Sequence, residues 1–318
     1  MAEFHPRDIL EQVLENVKKV IVGKDDTIRK VICCWIAGGH VLLEDFPGSG
    51  KTMLARALAK SVQSNFKRVQ FTPDLLPSDI LGSFILDQQK QEFRFLKGPI
   101  FTTFLLGDEI NRATPRTQSA LLEAMGEGQV TIEGRGFPLA ELFFVLATQN
   151  PIEQHGTFPL PEAQLDRFMM KLSLGYPTGA QEIQILKGMN EQHPIHSLGS
   201  VATEESIQRI HKLLPQVKVS DEVYNYAVRI VGSTRTSPDL KVGASPRATI
   251  ALIRTSQALA LSRGKSYVSP DQIFELAKPV ITHRLVLTTE ARLSGKQASQ
   301  ILDQLIQQVP VPTGHNEG

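Results

Sequence analysis

Residues Leu43 to Thr52 read LEDFPGSGKT, one glycine short of the pattern G-x-x-x-x-G-K-[ST] that wraps a phosphate group, because Asp45 stands at the first glycine. Glycines at 48 and 50 let backbone N–H groups turn inward. A helix beginning at Lys51 adds the positive end of its dipole, Lys51 can reach terminal phosphates, and Thr52 can ligate Mg²⁺. Nucleotide contacts are expected from Pro47, Gly48, Ser49, Gly50, Lys51, Thr52 and Met53. Asp45 closes the preceding strand and supplies none of the phosphate-facing amides. Its carboxylate would be unfavourable beside a triphosphate unless it turns away or is paired.

Two further stretches supply the groups a phosphate loop needs for hydrolysis. TTFLLGDEINRA places Asp108 and Glu109 directly after an apolar run. Asp108 suits a metal-holding role, and Glu109 can take a proton from an attacking water. The pair alone could equally open a loop or cap a helix, and the upstream loop decides for chemistry. LFFVLATQNP ends in Thr148, Gln149 and Asn150, where a polar side chain could orient that water; Asn150 before Pro151 could also form a turn.

Positioning these groups requires a particular layout. Apolar runs at 40–43, 67–71, 102–106, 142–148 and 169–174 are nearly continuous rather than alternating, as for strands covered on both faces. Helical patterns fall between them, over 51–63 and 115–125. The expected first unit, residues 1–176, is an α/β core with a parallel five-stranded sheet between helices. Beyond Tyr176 the patterns are helical, over 180–189, 203–214, 221–231, 245–263 and 269–282, with Ser-Pro starts at Ser245 and Ser269. A smaller all-α unit over 177–308 and a disordered Pro- and Gly-rich tail over 309–318 complete the expected organisation.

Composition narrows the functions available. The 318 residues carry 34 basic and 33 acidic side chains, without the basic excess of a protein that neutralises many phosphates. The longest apolar runs fall short of the roughly 20 residues of a membrane span. The N-terminal stretch MAEFHPRDILEQ lacks an apolar signal core, so a cytoplasmic location is expected. The adjacent Cys33 and Cys34 read as buried, reduced thiols, and Trp35 beside them as core. His193 and His196 flank Pro194, which argues for a loop rather than a metal site.

Taken in order, PGSGKT, GDEINRA, ATQNP, GTFPLPEAQLDRF and GASPRA resemble the MoxR group of AAA+ ATPases, over nearly the whole chain from about Leu14 to Leu285. EINRA followed by TQSALLEAM, and TFPLPEAQLDRF, are the more specific parts, and EDFPG is similar to the EDVPG-type loops of that group. The resemblance implies an arginine finger at Arg167 acting on a neighbouring subunit, sensor 2 at Arg247 on the helical lid, sensor 1 at Asn150 and an adenine-side segment at Val22 and Gly23. ATP is then expected between core and lid. It also implies that residues 71–101 form an insertion in the second core helix, ending in a hairpin with Phe93 and Phe95. A second hairpin over 128–139 is expected to turn at Glu133 to Gly136. In related motors such hairpins line a central pore, and two plain hairpins would read the same way.

The resemblance makes the expected function that of an ATP- and Mg²⁺-dependent homo-oligomeric ring, hexameric, remodelling or maturing partner proteins that carry a von Willebrand factor A domain. The motor subunit of a metal chelatase shares nearly all these motifs. A nucleic-acid motor is disfavoured, because residues 126–141 hold Glu127, Glu133 and Glu141 against Arg135, where a phosphate-tracking groove needs positive charge. The first hairpin is more basic, with Lys90, Arg94 and Lys97 against Asp87 and Glu92.

Overall fold

The computed structural model describes residues 4–46, 48–150, 156–189 and 193–312. Five parallel strands form the central sheet: β1 (Val41–Glu44), β2 (Phe66–Gln70), β3 (Phe104–Asp108), β4 (Phe144–Gln149) and β5 (Met170–Leu172), in the order β2-β3-β4-β1-β5. Alternate residues of β1, β3 and β4 serve different interiors. Val41, Leu43, Phe104, Leu106, Phe144 and Leu146 belong to one apolar cluster, while Leu42, Leu105, Val145 and Ala147 belong to a second on the opposite face. Both faces of these three strands are therefore dry, which is why their runs carry no polar alternation, while the edge strand β2 exposes Lys67, Arg68 and Gln70.

The first cluster is closed by the N-terminal helices Pro6–Lys18 and Asp25–Ile36 and by the long helix Pro246–Ser262, whose buried residues join the same interior. Trp35 sits here, its ring 4.6 Å from Phe104 and its Nε1–H donating to the Leu142 carbonyl at 3.0 Å. Cys33 and Cys34 are free and buried beside it, and burial raises the Cys33 thiol to about 12. The second cluster lies under Pro115–Glu127 and the short helix Pro77–Leu81.

After β5 the chain is helical, through Gly179–Gly188, Glu204–Leu213, Asp221–Thr236, Pro246–Ser262, Pro270–Ile281 and Ala298–Gln308, with a small antiparallel pair of Leu240–Val242 and Val286–Leu287. Ser245 and Ser269 occupy the N-caps ahead of Pro246 and Pro270. Pro194 opens one helical turn, Pro194–Ser197, rather than a loop, because proline suits a first helical position and His193 Nδ1 accepts from the Ile195 N–H. The end of the tail expected to be disordered, 313–318, lies outside the described residues.

Two hairpins project from the core. Gly82–Asp87 pairs with Glu92–Lys97, and Gln129–Ile132 pairs with Arg135–Pro138. The second turns in two residues, Glu133 and Gly134, with φ of 50° and 75°, so Gly136 lies within a strand and not in the expected longer turn. Two successive residues at positive φ match the right-handed strand twist, which selects the tighter connection. The hairpins pack on each other through Phe95 and Phe137, stacked at 4.4 Å.

Candidate functional site

Strand order brings the chemistry together. β4 runs between β1, which leads into the phosphate loop, and β3, which ends in the acidic pair, so all three deliver their C-terminal ends to one edge, where open α/β sheets bind ligands. There a cavity of about 350 Å³ is lined by Gly48 to Met53, Arg68, Asp108, Glu109, Thr148 and Asn150. Gly48 and Gly50 adopt φ of 83° and 91°, the left-handed turn that folds their neighbours' amides inward and starts the helix Lys51–Ser61. Pro47 lies outside the described residues.

Lys51 is half-buried, and burial lowers its ammonium from the usual range, opposed by the fields of Asp45, Asp108 and Glu109. Its Nζ donates to the carbonyls of Asp45 and Phe46 at 2.8 and 3.0 Å. The hydroxyl of Ser49 is buried without a protein partner among the described residues. An orphan donor inside a ring of amides and one cation fits a phosphate oxygen. The hydroxyl of Thr52 and the carboxylate of Asp108 face the same cavity, and hard oxygen donors of this kind fit Mg²⁺.

Both acidic side chains are engaged. Asp108 accepts from Thr148 Oγ at 2.6 Å and pairs with the Arg68 guanidinium at 2.6 Å. Glu109 adopts φ 56°, ψ 51°, a left-handed conformation unusual for a residue with a side chain, and it turns the two carboxylates apart. Its carboxylate accepts from Gln70 Nε2 at 2.8 Å and from Arg112 at 2.9 Å, while its N–H donates to Thr148 Oγ at 2.9 Å. Asn150 is buried at the end of β4. Sequence reading passed over Arg68, Gln70 and Arg112. Arg68 and Gln70 alternate on β2 and so share a face, a signal that marks a polar edge without naming its partners.

Arg167 and Arg247 are not in this cavity. They line a second cleft of about 310 Å³ with Gly39, His40, Gly126, Glu127, Asp166, Arg254 and Arg284. Asp166 organises it. Its carboxylate pairs with the buried Arg284 at 2.7 Å, accepts from Ser245 Oγ at 3.1 Å and stands 4.0 Å from Arg247. Arg167 donates to the Leu122 carbonyl at 2.5 Å, and Arg247 is exposed. His40 is buried at the cleft wall: Val145 N–H donates to its Nδ1 and its Nε2 faces the Met125 carbonyl, which requires the neutral ring with its proton on Nε2. Burial accordingly lowers His40 to about 4.

None of the described residues beyond Tyr176 lines the phosphate-loop cavity, and the helical region meets the segment at 21–23 expected to border adenine. There Gly23 O accepts from Gln181 Nε2 at 3.3 Å, and Ile21 Cδ1 lies 3.5 Å from where a side chain on Gly50 would begin. Val22 is half-buried in the same segment.

A phosphate-loop pattern after β1, an acidic pair ending β3, a polar strand end between them and a helical region beyond are the layout of an AAA+ ATPase. The family model "ATPase family associated with various cellular activities (AAA)" matches residues 40–170, and "AAA lid domain" matches residues 232–305. The chain belongs to the MoxR family of AAA+ ATPases. It is 40% identical to Chaperone MoxR1 of Mycobacterium tuberculosis, over 98% of this chain and 84% of that protein. Protein YeaC of Bacillus subtilis is 47% identical over 98% and 96%. The crystal structure of a candidate ATPase from Cytophaga hutchinsonii superposes with a TM-score of 0.89 at 38% identity, over 97% of this chain and 96% of that one. Similarity to the magnesium-chelatase subunit ChlI homolog of Methanocaldococcus jannaschii is narrower, 25% over 56% of this chain and 48% of that protein. Among the described residues no helix is long and apolar enough to cross a membrane.

Proposed function

We propose that the chain is a Mg²⁺-dependent ATPase whose complete site forms only between two copies in a ring, and that it works as a chaperone-like remodelling or maturation factor for partner proteins. One observation carries the reading: the loop cavity and the arginine cleft are separate, and each holds what the other lacks. Residues 1–176 form the proposed core and 177–308 the lid.

Gly48 to Thr52, flanked by Pro47 and Met53, hold the triphosphate, while Val22 and Gly23 border the base. Thr52 and Asp108 would hold Mg²⁺, which when bound neutralises phosphate charge and orders the terminal oxygens. Arg68 pairs with Oδ2 of Asp108, so it would compete with a metal held through that oxygen. Glu109, released from Gln70 and Arg112, accepts a proton as the water oxygen bonds to the terminal phosphorus and the bond to the bridging oxygen breaks, leaving ADP. Asn150 orients the water. Arg167 and Arg247 of a neighbouring copy stabilise charge on the transferred group.

A hexameric ring and a partner with a von Willebrand factor A domain are what membership of this family suggests, and the relative named as a chaperone supports the client role. The reduced, buried cysteines suit a cytoplasmic protein. The narrower chelatase similarity supports a motor role there only as a second reading. The purified chain is expected to hydrolyse ATP with Mg²⁺ and to lose activity in a chelator. Lys51→Ala should abolish nucleotide binding; turnover by that variant at the wild-type rate would sink the site assignment.

A further inference from the structure

Asp45 stands where the phosphate-loop pattern asks for glycine, yet it does not face the loop. It is 3% exposed, and its carboxylate is fully engaged on the other side of the backbone. Oδ1 accepts from Ser173 Oγ at 2.6 Å and from the Gly175 N–H at 2.9 Å, and Oδ2 accepts from the Leu174 N–H at 2.7 Å. Gly175 adopts φ 62°, which turns two successive amides toward one point, a backbone nest for an anion. This nest is the segment joining β5 to the helical region. The adjacent Phe46 stacks its ring on Tyr176 of the same segment, 5.3 Å between centroids and 8° between planes.

The main chain of these two residues faces the nucleotide site. The carbonyls of Asp45 and Phe46 are the two acceptors of Lys51 Nζ. Beyond the linker, Lys24 Nζ donates to the Tyr176 carbonyl at 2.9 Å, and Gln181 in the helix Gly179–Gly188 donates to Gly23 O. The connections form one line. Lys51 touches the backbone of 45–46, the side chains of 45–46 hold 173–176, and the next helix touches the base-side segment.

We infer that Asp45 is a positioning residue for ATP turnover: with Phe46 it forms a clasp that carries the state of Lys51 to the linker entering the lid. The inference rests on the ATPase reading. A lysine reaching a terminal phosphate oxygen is drawn off at least one of the two carbonyls, so occupancy of the loop changes the backbone that carries the clasp. The same chemistry explains the departure from the pattern. Glycine would ease the loop but hold nothing, whereas a carboxylate pinned in a nest couples two segments 128 residues apart.

The test uses the full chain and a non-hydrolysable ATP analogue with Mg²⁺, read by amide hydrogen exchange and steady-state kinetics. In the wild type, exchange at Leu174 and Gly175 should change about tenfold on analogue binding. Asp45→Gly, which restores the generic pattern, should bind the analogue within about threefold of wild type, lose about tenfold in kcat, and show no analogue-dependent change at 173–176. A purely structural role would shift exchange equally with and without analogue and would not separate kcat from binding. Unchanged exchange at 173–176 in an analogue-bound wild type overturns the coupling alone, as does Asp45→Gly turning over like wild type. Failure of the wild type to bind the analogue overturns the ATPase reading and the coupling with it. Should Asp45→Gly not fold, Asp45→Asn, which keeps one acceptor oxygen, is judged by the same criteria.

Discussion

The two clefts of this molecule differ in charge balance: the loop cavity sets Lys51 and Arg68 against Asp108 and Glu109, while the second cleft sets four arginines against Glu127 and Asp166. The loop cavity holds Asp108 and Glu109, each already occupied by a cationic or amide side chain, Arg68 for one and Gln70 with Arg112 for the other. The second cleft holds Arg167, Arg247, Arg254 and Arg284, with Asp166 as the carboxylate that binds one of them tightly and stands near another. The first has borrowed cations and the second has cations to spare. A cavity whose acids carry exchangeable partners suits an incoming metal ion, and a cleft with an exposed arginine 4.0 Å from its carboxylate suits an incoming anion. One bound nucleotide with its metal presents both faces.

The comparison breaks most sharply at Arg167. If the second cleft completes a neighbour's first, Arg167→Ala should lower turnover by about 10³ or more while leaving nucleotide binding in place. Mixing it with Lys51→Ala should partly restore hydrolysis, since each variant supplies the half that the other lacks. Mixtures no more active than the separate variants would place the arginine elsewhere.

The first cleft is sharpened by Glu109→Gln, which keeps the shape and the contacts to Gln70 and Arg112. Turnover should fall about 10²-fold with ATP still bound. A normal rate would remove Glu109 from the role of base.

The smallest effect concerns the wall of the second cleft. His40 is neutral in the fold at about 4 against an ordinary value of 6.5, so the unfolded chain takes up its proton first as pH falls. Stability contributed by the neutral ring is complete above pH 6.5 and is lost as pH falls toward 4, on the order of 3 kcal/mol at most. His40→Asn keeps an acceptor for Val145 N–H and should melt with a visibly shallower pH slope over that range. Parallel slopes for the two proteins would show that burial of the ring carries no such penalty.

What was legible in the chain followed from local rules. β1, β3 and β4 stood out because their alternate residues face different dry interiors, leaving few polar positions to blur the runs, whereas the edge strand β2 exposes Lys67, Arg68 and Gln70. The loop and the acidic pair stood out because their chemistry needs fixed spacing. The contacts that hold the carboxylates were not legible, since Arg68 reaches Asp108 across 40 positions and only strand order makes them neighbours. The separation of Arg167 from the loop accords with its expected action on a neighbouring subunit, whereas the sequence did not show that Arg247 lines the same second cleft. The tight turn at Glu133 and Gly134 escaped because a non-glycine residue took a positive φ. Asp45 looked like a blemish in a motif, and its reason lay in a nest formed far along the chain.

Asp166 sits between the segment bearing Arg167 and the segment bearing Arg247, touching Ser245 and Arg284 as well. If Arg167 completes a neighbour's site as proposed, a tilt of the helical region in one subunit is also a displacement of the group offered next door. In a closed circle of such subunits, timing becomes a collective property: each member's readiness is set by its neighbour's last event, and dilution with inert members should depress the rate more steeply than their share.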